Sequence, residues 1–254
     1  RIFTRIEADY KCLKDEAARL QDERTSAAPQ VAWVTWQGCV DSACDGITAG
    51  TWVQKGDGNW CRCGSFYRVL ASHFRRDITE DAGGRLLTVL AAGPNCTFLT
   101  NSDGSQTYEC IGTPDGAQHF RELLAGADVI IDESYVANHG PYTLNDFVST
   151  FEVEPANLLA MQTEAVYRID GSVSDARDNS EEVGSNWFEQ MPAQPQELLS
   201  DMMRAIWGSS FQGSCPYKYL RSLYGLQARD PLEHSDCPMY DPQGTHDCEA
   251  IHDY

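Results

Sequence analysis

The stretch Ala127-Asp128-Val129-Ile130-Ile131-Asp132-Glu133-Ser134-Tyr135 constrains the fold more than any other, because a short apolar run ends abruptly in polar residues. A continuous, β-branched run of this kind, without polar alternation, reads as a strand buried on both faces, as in a parallel sheet covered by helices. In an open α/β sheet, ligands gather beyond the carboxyl ends of such strands, where side chains leave the core and meet solvent. Asp132, Glu133 and Tyr135 stand at that position. Asp132 and Ser134 equally suit capping of the turn or helix that follows. The run therefore marks a place before it marks a chemistry.

The segments around it alternate in the same way. Ile6, Tyr10, Leu13, Ala17 and Leu20 recur three or four apart amid charged residues, which predicts an amphipathic helix over 3–24. Val31 to Trp36 reads as a buried strand, Phe66 to Phe74 as a helix with Tyr67, Leu70 and Phe74 on one face, and Phe120 to Leu124 as a short helix before the 128–132 strand. Tyr142 to Phe151 reads as a helix, Ala165 to Ile169 as a third strand stopped by Asp170-Gly171, and Gln196 to Trp207 as a helix through Leu198, Leu199, Met202 and Ile206. Strands alternating with helices predict an α/β fold, a three-layer lobe with a mostly parallel sheet flanked by helices. Residues 37–64 and 93–118 read as irregular, polar, disulfide-pinned insertions within a lobe spanning 1–207, and 208–254 as an irregular extension fastened by disulfides rather than by a core of its own.

Ten cysteines, an even number scattered through these irregular segments, point to disulfides. A zinc site fits less well, because paired CxxC knuckles are absent and Cys61-Arg62-Cys63 is too tightly spaced for one. Bridging of Cys96 to Cys110 would close a modest loop within 93–118. Asn95-Cys96-Thr97 is a glycosylation sequon. Together these features suit a secreted or otherwise extracytoplasmic, oxidising setting. The formal charge of −19 disfavours nucleic acid and anionic membranes as partners; it serves solubility or attracts cations. No apolar run approaches the roughly 20 residues that span a bilayer. A start at Arg1, without Met or an apolar leader, is read as a mature or internally processed product.

Three runs resemble the C-terminal lobe of the helical-backbone periplasmic solute-binding proteins, the TroA-like class that carries ferric siderophores, cobalamin and divalent metals. Ala125 to Asp132 is similar to that family's strand after a short helix, and Val166-Tyr167-Arg168-Ile169-Asp170-Gly171 to its next strand. Trp187-Phe188-Glu189 through Pro195, Leu198, Leu199, Asp201 and Met202 is similar to its closing helix. The resemblance spans roughly 1–207. It implies a ligand held between this lobe and an N-terminal one, which this chain lacks, so that the missing half is expected as a separate chain cut from the same precursor. The cysteine-rich insertions depart from the bacterial pattern and look like those of a eukaryotic secretory protein.

On that reading Trp36, Asp132, Glu133, Tyr135 and Asp170 face the cleft and bind ligand, with Asp132, Glu133, Tyr135 and His139 as the metal-ligating set. Carboxylate and phenolate oxygens suit a hard cation such as ferric iron, and aromatic faces suit an organic chelate. Trp36 is equally read as a core or interface aromatic, and His139, near Gly140-Pro141, as a loop residue. A second cluster, His246, Asp247, Glu249, His252 and Asp253, lies in the tail and would lose ordering entropy on binding a metal. The chain contains no Gly-x-Ser-x-Gly, Walker loop, HExxH or dinucleotide fingerprint. Asp132 and Glu133, adjacent on a strand, point to opposite faces and form no carboxylate dyad. The expected function is therefore capture of a metal ion or metal chelate without turnover. The alternative is a structural or assembly subunit that keeps the lobe and has no ligand.

Overall fold

Val129-Ile130-Ile131-Asp132 forms a strand whose four residues are all buried, and it lies at the centre of a sheet with helices on both faces. The computed structural model describes residues 2–39, 42–56, 58–134, 142–173, 191–211, 217–225 and 230–231. The helices are α1 (Ile2–Glu23), α2 (His73–Asp81), α3 (Pro114–Leu124), α4 (Leu144–Phe151), α5 (Leu159–Gln162) and α6 (Pro195–Trp207). The strands are β1 (Gln30–Cys39), β2 (Trp52–Gln54), β3 (Trp60–Arg62), β4 (Gly64–Ala71), β5 (Arg85–Leu86), β6 (Cys96–Thr100), β7 (Gln106–Ile111), β8 (Val129–Asp132), β9 (Val166–Arg168), β10 (Ser172–Val173), β11 (Arg221–Ser222) and β12 (Asp230–Pro231).

The main sheet runs β11-β9-β8-β1-β4-β7-β6, with β5 beside the first residues of β1. Strands β9, β8, β1 and β5 are parallel; β4, β7 and β6 pair antiparallel, with β6 on the outer edge, and β11 is antiparallel on the other edge. The α/β class and the layering match the sequence reading, but the sheet is mixed rather than mostly parallel. Two segments account for the difference. Phe66 to Ala71, expected as a helix, is β4: Phe66 and Tyr67 are buried on opposite faces of the sheet, and the helix begins only at His73, capped by Ser72. Residues 93–118, expected as an insertion, contain the β6–β7 hairpin that extends the sheet, followed by α3 with Thr113 as its cap and Pro114 in the first turn.

Alternation along the strands splits the core in two. Val31, Trp33, Val129, Ile131 and Tyr167 pack with Leu13 and Leu20 of α1, Ile78 of α2, and Leu198, Leu199 and Met202 of α6. Ala32, Val34, Ile130, Val166, Tyr67 and Tyr108 pack on the other face with Phe120 and Leu124 of α3, Phe147 and Phe151 of α4, and Met161 of α5. Trp33 is fully buried, and its indole N–H donates to Thr79 Oγ1 at 3.0 Å, so its one polar atom is satisfied. Residues 217–225 belong to this body. Tyr219 and Leu220 are fully buried, and the backbone amides of Lys218, Tyr219 and Leu220 all donate to the buried Asp201 carboxylate of α6. One carboxylate thus replaces three lost water contacts and docks the segment without regular structure.

Within 37–64, β1 continues to Cys39 and a small β2–β3 hairpin follows, held by the disulfides Cys39–Cys61 and Cys44–Cys63. Cys96 and Cys110 face each other across β6 and β7 and are joined. Cys12 is also disulfide-bonded.

Candidate functional site

The chain leaves β1 toward β4 on one side and returns through α3 to β8 on the other, so the order of strands reverses at the β1–β8 pair. A crevice opens beyond the carboxyl ends of parallel strands at such a point. In this fold that position is taken by Trp36, Glu133 and Ser134: the Glu133 amide donates to the Val34 carbonyl and the Trp36 amide to Ser134 Oγ, both at 2.8 Å, which fixes the exit of β8 against β1. Ser134 N donates in turn to Asp132 Oδ1 at 2.8 Å, so Asp132 does cap the turn after its strand.

Asp132 shares its face of the sheet with Ile130, and Arg168 of the neighbouring β9 stands directly beside it. Arg168 Nη1 donates to Asp132 Oδ2 at 2.7 Å, Nε to Asp170 Oδ2 at 3.2 Å and Nη2 to the Ser134 carbonyl at 2.9 Å. Arg221 of β11 adds Nε to Asp170 Oδ1 at 2.9 Å and Nη2 to Asp170 Oδ2 at 3.0 Å, and also reaches the Tyr142 carbonyl at 2.9 Å. The Arg168 guanidinium stacks 4.0 Å from the centre of the Tyr142 ring. The result is an alternating row of two carboxylates and two guanidinium groups across β8, β9 and β11. Burial works against the Arg168 charge, but Asp132 and Asp170 beside it outweigh that and raise its pKa. Burial, and then the Asp132 charge, push the Tyr142 phenol up, so it stays protonated.

Glu133 points to the opposite face, as alternation requires, and pairs with Arg75 of α2, Nε to Oε1 at 2.7 Å. The structure thus brings Asp132 and Asp170 together through Arg168, sets Glu133 apart from them, and leaves Trp36 half-buried over the crevice edge with its ring lying across Gly38. Tyr135 and His139, and the tail cluster at 246–253, lie outside the described residues. Asn95 is exposed just before β6. Reasoning from sequence missed Arg168, Arg221 and Arg75. The signal for Arg168 was present: an arginine within Val166-Tyr167-Arg168-Ile169 sits in a buried strand and demands a carboxylate partner.

Chemically, both oxygens of Asp132 and of Asp170 are committed, so a bare hard cation would have to displace a guanidinium to reach either. Among the described residues the sulfurs of Cys39, Cys44 and Cys61 lie within 4.8 Å of one another, a spacing a soft metal could use, but all three are in disulfides and none is a thiolate. No helix among the described residues is long and apolar enough to cross a membrane.

No family model and no curated protein matches the chain. Among solved structures it is similar to a TroA-like periplasmic binding protein, FepB from Veillonella parvula, with a TM-score of 0.38 and 12% identity over 83% of this chain and 48% of that one. The chain spans about half the length of that protein.

Proposed function

We propose that this chain is one lobe of an extracytoplasmic solute-binding protein and that it captures a metal chelate, with ferric iron held in an organic ligand, rather than a bare ion. The observation that carries the reading is the Asp132–Arg168–Asp170–Arg221 row beside the crevice at the β1–β8 reversal. Two guanidinium groups balance two carboxylates, so the row has no surplus anionic charge to strip a cation of its water. Arg221, less buried than Arg168, holds Asp170 through Nε and Nη2 and can meet an anionic oxygen of a chelate through Nη1. Trp36 supplies an aromatic face at the same edge. Tyr135 and His139, which follow β8 directly, extend the ligand set in this proposal, and a chain from the same precursor supplies the facing lobe. The disulfides fit an oxidising compartment, with Asn95 placed for glycosylation.

Thermal unfolding with and without a ferric hydroxamate chelate tests this, alongside zinc as a cation without an organic ligand. At a hundredfold excess over the dissociation constant, a binder gains about 2.7 kcal/mol. A shift with the chelate alone supports the reading, and a shift with zinc alone contradicts it. One observation favours the alternative of a ligand-free structural subunit: Asp132, Arg168 and Asp170 satisfy one another without any outside group, as a structural latch does. Absence of any shift would favour that subunit.

A further inference from the structure

On the face of the sheet that carries α1, α2 and α6, β4 places Phe66, Arg68 and Leu70 and β7 places Thr107 and Glu109, of which Phe66, Thr107 and Glu109 are buried. Between α2 and the β6–β7 turn lies a groove of about 520 Å3. It is on the opposite face from Asp132 and Arg168, because its Leu70 packs toward the α1–α6 side while Ile130 and Asp132 face α3 and α4. Two arginines line it, and each is braced by a carboxylate from behind. Glu109, only 1% exposed, holds Arg68 through Nε at 2.8 Å and Nη2 at 2.7 Å, and holds Arg62 at 2.7 Å. Arg75 is fixed by Glu133 and by Ser72 Oγ, which accepts from its Nη1 at 2.8 Å. Arg68 Nη1 has no hydrogen bond among the described residues, and both side chains remain about one-fifth exposed, 23% and 21%. Buried carboxylates that set the angle of half-exposed guanidinium groups are how a protein preorganises cations for an oxyanion.

The rest of the lining narrows the ligand. Leu70 and Leu99 give an apolar strip; Asn101 and Thr107, which hydrogen-bond each other, keep acceptor lone pairs, and Asp103, whose Oδ1 accepts from Ser105, carries an anionic Oδ2 at the exposed turn. A simple anion would find Asp103 repulsive; a molecule with an acid at one end and hydroxyls at the other would use it. We infer that this groove is a second binding site, independent of the strand-end reading, for a small hydroxylated acid of the sugar-acid or sugar-phosphate kind. Its oxyanion sits on Arg68 and Arg75, its hydroxyls on Asn101, Asp103 and Thr107, and its carbon face on Leu70 and Leu99.

Isothermal titration of the whole chain with glucuronate, glucose 6-phosphate and neutral glucose tests the assignment. Saturable one-to-one binding of glucuronate or the phosphate, with none of glucose, is expected, and which acid binds separates a carboxylate from a phosphate head. Arg68→Lys keeps a charge beside Glu109 but loses Nη1, the donor left for the ligand, and should weaken binding about tenfold. Ser102→Trp, at an exposed groove position with no part in these ion pairs, should block binding while leaving the unliganded melting temperature unchanged. Absence of saturable binding of either acid at millimolar concentration, equal binding of glucose, or Ser102→Trp binding as the parent does, would overturn the site.

Discussion

The two halves of the sheet solve the same problem differently. The parallel half is sandwiched between helices, so Asp132, Arg168 and Asp170 are cut off from water and must satisfy one another. In the antiparallel half α3 packs on one face, and on the other Arg62 and Arg68 keep contact with solvent around the buried Glu109, while a disulfide joins β6 to β7. A charge in the first half is costly to strand. In the second, water takes over part of the loss.

The comparison breaks most visibly at Arg168. Arg168→Ala leaves two buried carboxylates without their shared partner and should cost about 3–5 kcal/mol, read as a loss of unfolding free energy in urea. Cys96→Ser with Cys110→Ser removes the bridge across β6 and β7, whose partners are 14 residues apart, and should cost about 3 kcal/mol, seen as a lowered melting temperature. Glu109→Gln is the sharper comparison with Arg168: its two arginines are 21% and 23% exposed, so the cost should be about 1–2 kcal/mol. A cost equal to that of Arg168→Ala would mean that the antiparallel half is as dry as the parallel one.

A further expected effect is a pH slope from Asp201, the carboxylate that docks residues 217–225. Burial pushes its pKa from 3.8 to about 7, against the pull of three amides. The folded state then holds a proton that the unfolded chain has released, so this contribution is complete below pH 3.8 and is lost as pH rises toward 7. Melting temperatures measured from pH 5 to pH 8 should fall, and Asp201→Asn should flatten that part of the fall. A parent slope of opposite sign would show that the amide donors, not burial, govern the group.

Much of this fold is legible in the chain. The largely apolar runs at Val31–Trp36, Ile130–Ile131 and Val166–Ile169, and the spacing of Leu198, Leu199, Met202 and Ile206, identify strands and helices because burial on two faces or one stripe leaves a local pattern. Phe66 to Phe74 misleads for the same reason: Tyr67, Leu70 and Phe74 mimic a helical stripe, while a partner strand over thirty residues away decides that the segment is extended. Residues 93–118 look like a loop because Thr97, Thr107 and Glu109 are polar, yet Thr107 and Glu109 are buried, paired with Asn101 and with Arg62 and Arg68, partners that the local pattern does not show. At the candidate site, Asp132 and Asp170 are legible from their place after apolar runs. Their partners are not, since Arg168 and Arg221 lie 36 and 51 residues away and meet them only through the sheet.

The central claim, that the strand-end crevice holds a chelate, is tested most directly by isothermal titration of a ferric hydroxamate chelate into the parent and into Arg221→Gln. Saturable binding by the parent, weakened about tenfold or more in a variant that remains folded at the titration temperature, is the predicted result. Binding of equal strength by both, or by neither, would contradict the account.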